Sequence, residues 1–274
     1  MEPLPPNSDD ERRSAGDVAA TYCATLVDEW AHLGVRYAVV APGSRSTPMA
    51  VALLEHPDLH VELHHDERSA AFTALGVGLA TKTPALLLCT SGTAAAEFHP
   101  AVVEAHQAGV PMIVITADRP AELQGVGAPQ TIDQRNLYGP AVRWYCEPGA
   151  PEAGGSAWWR DLAADAWLRT GGTPPGPVHL NLAFREPLVG AAGPLPPRPA
   201  VEAVRVTGAG WHLPDEELGR LAEALDGRSG VIVAGARAGS TETDRQALLS
   251  LAETLGWPVL ADPTSGCRVG HRSV

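Results

Sequence analysis

Apolar side chains recur at helical spacing through residues 16–34, at Val18, Tyr22, Leu26, Trp30 and Leu33, and Gly34 stands where a glycine cap would end the helix. Residues 35–41 then change period. A short β-branched and apolar run stops at Pro42-Gly43-Ser44, which predicts a buried strand ending in a tight turn. The alternation continues, with helices expected at 50–54, 67–80, 93–108 and 156–169, and strands at 61–64, 85–90, 112–117 and 178–182. Strands alternating with helices predict right-handed βαβ units, and so an α/β fold on a doubly wound parallel sheet.

The pattern lapses in two places. Residues 1–15 are polar, with Pro3, Pro5 and Pro6, and read as a disordered tail. Residues 191–200 (AAGPLPPRPA) carry four prolines and no period, the composition of a semi-rigid linker. This predicts a domain at 16–190, a linker at 191–204 and a second α/β domain at 205–274, with helices at 215–225 and 244–255 and strands at 230–234 and 258–261. A single βαβ repeat is too little for a sheet of roughly five or six strands, so the chain is expected to end inside that domain.

Composition narrows the function classes. With 20 Lys and Arg against 32 Asp and Glu, the net charge of −12 repels nucleic acid and anionic membrane surfaces. An anionic substrate would therefore need a local arginine cluster. No apolar run reaches the ~18 residues of a membrane span. Cys23, Cys89, Cys146 and Cys267 stand far apart without a CxxC pair, which argues against a zinc site or disulfide framework and fits a reducing cytoplasm.

Ligands of open α/β sheets bind beyond the carboxyl ends of strands, and four segments fall there: APGSRSTP (41–48), HHDERSAAF (64–72), TSGTAAAEFHP (90–100) and TADRPAEL (116–123), the last followed by GVGAPQTIDQ (125–134). Glu67 follows a strand and opens a helix. Asp66 as cap and Glu67 in the first turn suit a helix start, and a carboxylate there is also a candidate acid-base group. Arg45 and Arg119 lie on two different loops, and each has the forked geometry that grips a carboxylate. Adjacent His64 and His65 would point to opposite faces of a strand, so no metal site is expected among these residues. GARAG (235–239) lacks GxGxxG spacing and reads as a structural turn.

APGSRSTP, TSGTA and TADRP, in this order and spacing, resemble the pyrimidine-binding domain of the 2-succinyl-5-enolpyruvyl-6-hydroxy-3-cyclohexene-1-carboxylate synthases, thiamine-diphosphate-dependent carboligases of menaquinone biosynthesis. The resemblance runs over about residues 16–188 and continues through VIVAGARAG and WPVLADPTSG. It implies decarboxylation of 2-oxoglutarate and 1,4-addition to isochorismate, in a homodimer or dimer of dimers. It makes Glu67 the carboxylate that hydrogen-bonds N1′ of the aminopyrimidine, and Pro42, Gly92 and Thr93 its neighbours around the cofactor. Ser44, Arg45, Arg119 and Gln130 become the isochorismate-binding residues. It also implies Mg²⁺ or Mn²⁺ holding the diphosphate through a GDG-type segment of a C-terminal domain, a segment these 274 residues lack, so this part alone is expected to be inactive. Two departures stand out: Pro129 replaces a common asparagine beside Gln130, and Glu97 stands where related enzymes often carry asparagine. Two other classes fit the same fold. An acetolactate-synthase-like carboligase would turn over pyruvate without isochorismate, and a non-catalytic interaction module would give no cofactor response.

Overall fold

The computed structural model of the chain describes residues 8–198 and 213–269. The chain divides into two compact units, Met1–Arg205 and Val206–Val274. In the first unit the order is α1 (Ser8–His32), β1 (Tyr37–Val40), α2 (Thr47–Glu55), β2 (His60–Leu63), α3 (Glu67–Thr81), β3 (Ala85–Cys89), α4 (Thr93–Glu97), α5 (His99–Ala108), β4 (Met112–Asp118), β5 (Trp144–Cys146), α6 (Trp159–Thr170) and β6 (Pro177–Ala183). All six strands are parallel and lie in the order β2-β1-β3-β4-β6-β5. This is the doubly wound sheet that the alternation of elements predicts.

Every residue of β3, β4 and β6 is buried, because both faces of the sheet are covered. Register makes the layers explicit. Val40, Leu88, Ile115 and Leu180 form one cross-strand row, packed with α1, α2 and α6. The adjacent row, Val39, Leu87 and Val114, packs with α3, α4 and α5, and it ends on His179 rather than on an apolar side chain. On the first face the Trp30 indole N–H donates to the Ala163 carbonyl at 2.9 Å, pinning α1 to α6. On the second, α3 presents Ala70, Ala71, Ala74 and Gly78 to the sheet, and such small side chains let the helix lie close.

The structure corrects several boundaries. Helix α1 begins at Ser8, so residues 8–15, expected to be part of a disordered tail, are helical. Asp9, Asp10 and Glu11 are residue types that favour a helix start, and the tail reading overlooked them. Residues 1–7 lie outside the described residues. The helix expected at 93–108 is two helices, because Pro100 has no N–H with which to continue the ladder. Helix α2 begins at Thr47 rather than residue 50, with Pro48 in its first turn where a missing N–H costs nothing. The helix expected from 156 opens as a 3₁₀ segment, Ala153–Trp158, before α6. Strand β5 was not expected at all. The linker reading covers residues 199–204, which lie outside the described residues, and residues 191–198, which have no helix or strand.

The second unit contains α7 (Asp215–Leu225), β7 (Ile232–Ala234), α8 (Glu242–Leu255) and β8 (Val259–Ala261), with β7 and β8 parallel. A small core of Ala234, Ala252, Val259 and Cys267 holds it. In the GARAG turn the Gly239 N–H donates to the Ser265 carbonyl at 2.8 Å. A Cβ on Gly266 would lie 2.4 Å from the Gly239 carbonyl oxygen, so these glycines let two loops touch. Among the described residues no helix is long and apolar enough to cross a membrane.

Candidate functional site

The parallel sheet delivers its loops to one rim. After β2 stands Glu67, after β1 Pro42 to Arg45, after β3 Gly92 and Thr93, after β4 Arg119, and after β6 residues 184–186. Strand β1 pairs with β2 on one side and β3 on the other, so successive crossovers diverge there, the position at which open α/β sheets take their ligands. Backbone bonds continue past the strand ends: the His64 N–H donates to the Val40 carbonyl at 2.9 Å, and the Ala41 N–H to the Leu88 carbonyl at 2.8 Å. The loops bearing Glu67, Pro42 and Gly92 are thereby neighbours.

The cap and the residue after it differ at the start of α3. Asp66 is the cap: its carboxylate accepts the Ser69 N–H at 2.7 Å, and that bond holds its pKa below the usual value. Glu67, half-buried, has no hydrogen-bond or ion-pair partner among the described residues. The Cys89 thiol, at the end of β3, is pushed well up by burial and further by the charge of Glu67. Two glycines let the neighbouring loops approach closely. A Cβ on Gly43 would lie 2.5 Å from Thr90 Cβ, and one on Gly92 would meet Gln130 Cγ at 2.9 Å while Gly92 already holds φ +85°. Pro42 and Thr93 are exposed on this rim, and Ser44 is exposed on the 3₁₀ turn Ser44–Ser46.

The two arginines come from separate loops to one place. Arg45 is buried and donates through Nη1 to the Phe184 carbonyl at 2.8 Å and through Nη2 to Glu186 Oε1 at 3.2 Å. Arg119 donates to the Ser91 hydroxyl and to the Gln130 carbonyl, the latter at 2.6 Å. Its pKa is lowered, first by desolvation and then by the like charge of Arg45, a repulsion that an anion lying between them would relieve. Gln130, at φ 56°, donates one amide N–H to the Ser91 carbonyl at 2.9 Å and keeps a second donor. Ser44, Arg45, Arg119 and Gln130 thus line the β1 and β4 side of the rim, and Glu67 the β2 side. Glu97 is exposed at the end of α4, and Pro129 is exposed beside Gln130.

A buried polar network beneath the rim was missed by the sequence reading. Gln134 accepts the Gly92 N–H at 2.8 Å and donates to Asn181 Oδ1 at 2.9 Å and to the Ala117 carbonyl at 3.2 Å. Asn181 donates to Asp118 Oδ2 at 2.9 Å, and Thr116 donates to Asn181 Oδ1 at 2.8 Å. Asp118 Oδ1 accepts the Arg119 N–H at 2.7 Å and so orients the start of the arginine loop. Beyond Arg119 a cavity of 660 Å³ opens between Gln124, Glu147, Trp158 and Arg185. Among the described residues no group of three or more His, Cys, Asp or Glu could hold a metal ion.

The family model for the N-terminal TPP binding domain of thiamine pyrophosphate enzymes matches residues 20–137, the stretch that carries Glu67, both arginines and Gln130. The 2-succinyl-5-enolpyruvyl-6-hydroxy-3-cyclohexene-1-carboxylate synthase of Thermobifida fusca is 50% identical over 247 residues, covering 89% of this chain and 44% of that relative. Its counterpart from Roseiflexus sp. is 47% identical over 270 residues, covering 92% and 46%. The crystal structure of benzoylformate decarboxylase from Polynucleobacter necessarius matches with a TM-score of 0.68 at 20% identity, over 89% of this chain and 44% of that one, which is a likeness of fold. The chain spans less than half the length of the synthases it matches. With its parallel sheet and rim of motifs, the chain is similar over residues 20–137 to the N-terminal TPP binding domain of thiamine pyrophosphate enzymes and, over about nine-tenths of its own length, to under half of the 2-succinyl-5-enolpyruvyl-6-hydroxy-3-cyclohexene-1-carboxylate synthases.

Proposed function

We propose that this chain supplies the pyrimidine-binding wall of a synthase that decarboxylates 2-oxoglutarate and adds the retained unit to isochorismate. The observation that carries the reading is the sharing of one rim by a half-buried carboxylate, without a partner among the described residues, and two arginines from separate loops. When bound, thiamine diphosphate supplies the nucleophilic carbon and electron sink for decarboxylation. Glu67 holds a proton between its carboxylate and N1′ of the aminopyrimidine, a task for which Asp66, by capping α3, leaves it free. Gly92, lacking a side chain, lets that ring approach the backbone, with Pro42 and Thr93 beside it. Arg45 and Arg119, with Ser44 and Gln130, take a carboxylate of isochorismate.

The remaining parts lie outside this chain. Mg²⁺ or Mn²⁺ and the diphosphate are held by a further domain, and the working enzyme is a cytoplasmic homodimer or dimer of dimers whose sites form between subunits. Replacing the matching half of the Thermobifida fusca synthase with this chain tests the reading. The chimera should form product from 2-oxoglutarate and isochorismate, and Glu67→Gln should slow it by about 10²–10⁴-fold without altering its melting. A folded chimera that is inactive, or a Glu67→Gln variant at the parent rate, would overturn it.

A further inference from the structure

We propose that Glu186 is a displaceable counter-ion of the arginine pair, neutralising Arg45 until a substrate carboxylate takes its place and so setting the site's affinity and its preference for carboxylates. The inference rests on the reading of Arg45 and Arg119 as carboxylate hooks.

The two partners of this ion pair are unequally held. The Arg45 side chain is 8% exposed and that of Glu186 is 72% exposed. Arg45 is also anchored by its bond to the Phe184 carbonyl, so its guanidinium stays when the pair opens. The backbone beneath Glu186 is fixed as well. The Phe184 N–H donates to the Asp118 carbonyl at 3.0 Å, and Arg185 makes two bonds to Glu122, at 2.7 and 3.3 Å, on the loop that comes after Arg119. Only the Glu186 side chain is left to move, and it faces water.

A cation as buried as Arg45 is costly without a counter-charge, which gives Glu186 a role in the absence of substrate. The contact is a single bond of 3.2 Å rather than a fork, and most of the Glu186 carboxylate remains hydrated. A substrate carboxylate bonded to both Arg45 and Arg119 makes more charge-assisted bonds than Glu186 does. The negative charge of Glu186 also reaches Arg119, where it opposes the lowering of the pKa. It therefore repels an arriving carboxylate from both hooks, and a ligand with a carboxamide in that place gains too little to displace it.

Calorimetric titration of the Thermobifida fusca synthase chimera carrying this chain with isochorismate, at low ionic strength and without 2-oxoglutarate, for the parent chimera and its Glu186→Gln, Arg45→Ala and Glu55→Gln variants, tests this. Glu55 is an exposed carboxylate at the far end of α2, where the helix has returned to the opposite edge of the sheet, so it reports the effect of net charge alone. Glu186→Gln should bind roughly three- to tenfold more tightly than the parent, Arg45→Ala at least about tenfold more weakly, and Glu55→Gln within about twofold. Unchanged or weaker binding by Glu186→Gln, with Arg45→Ala still defective, sinks the counter-ion role alone. No binding by any of the four, or parental binding by Arg45→Ala, removes the carboxylate-hook reading and the inference with it.

Discussion

His179 shows how much a single side chain can be asked to bear. It lies fully buried on β6, its Nε2 2.7 Å from Thr116 Oγ1, its ring against Tyr138 and Tyr145, and its Nδ1 without a partner among the described residues. Burial pushes its pKa down to about 3, so the folded protein keeps it neutral while the unfolded chain protonates near 6.5. With the folded value depressed, its contribution to stability is complete above pH 6.5 and is lost as pH falls from there towards about 3. In that window His179 should add roughly 1.4 kcal/mol of lost stability per pH unit, and His179→Leu should remove that part of the slope. Urea melts of both proteins between pH 4 and 7 measure it, and parallel slopes would refute the assignment. In PVHLNLA the apolar residues alternate with His179 and Asn181, two polar residues on one face of the strand expected at 178–182, so the oddity was visible in the sequence. Their partners Thr116 and Gln134 stand 47 to 65 residues away in the chain, and no local pattern joins them.

Helix α3 carries two interior glycines that local propensity treats alike and packing separates. Each costs about 1 kcal/mol relative to alanine in a helix, so alanine is favoured at both on propensity alone. At Gly76 a Cβ would meet nothing within 4 Å; at Gly78 it would lie 2.6 Å from Val110 Cγ1 and 2.7 Å from the Pro111 carbonyl oxygen. Gly76→Ala should therefore stabilise the protein by up to about 1 kcal/mol, whereas Gly78→Ala should destabilise it by about 1–3 kcal/mol as α3 is pushed off β4. Denaturant midpoints decide, and equal signs would refute the packing argument. Elements with sustained patterns were legible for the same physical reason that they form: β3 and the first four residues of β4, Met112–Ile115, are uninterrupted apolar runs because both sheet faces are covered. Strand β5 was not, since Trp144–Cys146 is three residues long and is held by its backbone pairing with β6. Of the rim, the motifs and the strand ends were readable, but the bonds from Arg45 to Phe184 and Glu186, 139 and 141 residues away, were not.

Across the first unit as a whole, the chain beyond β6 turns back over the molecule instead of leaving it. The Ala191 N–H donates to Asp17 Oδ1 at 2.8 Å and the Gly193 N–H to Thr21 Oγ1 at 2.9 Å, so the proline-rich segment runs along α1. Its far end is locked by charge. Arg160 of α6 donates through Nε to the Pro196 carbonyl at 2.8 Å and through Nη1 to Asp28 and Glu29 of α1, both at 2.7 Å, while Arg198 donates to Asp28 at 2.8 Å. Arg160 and Glu29 are 6% and 5% exposed, so this is a buried pair rather than a surface one. Removing one partner of such a pair strands the other charge, which typically costs about 3–5 kcal/mol, while replacing both with apolar groups costs far less. Arg160→Ala should therefore lower stability by about that amount and release residues 191–198, seen as faster elastase cleavage after Ala191. Arg160→Met combined with Glu29→Leu should recover most of the stability and leave the segment open to cleavage, since the bond to the Pro196 carbonyl is still lost. Cleavage of Arg160→Ala at the parent rate would show that the Ala191 and Gly193 bonds to α1 hold the segment without the ion network.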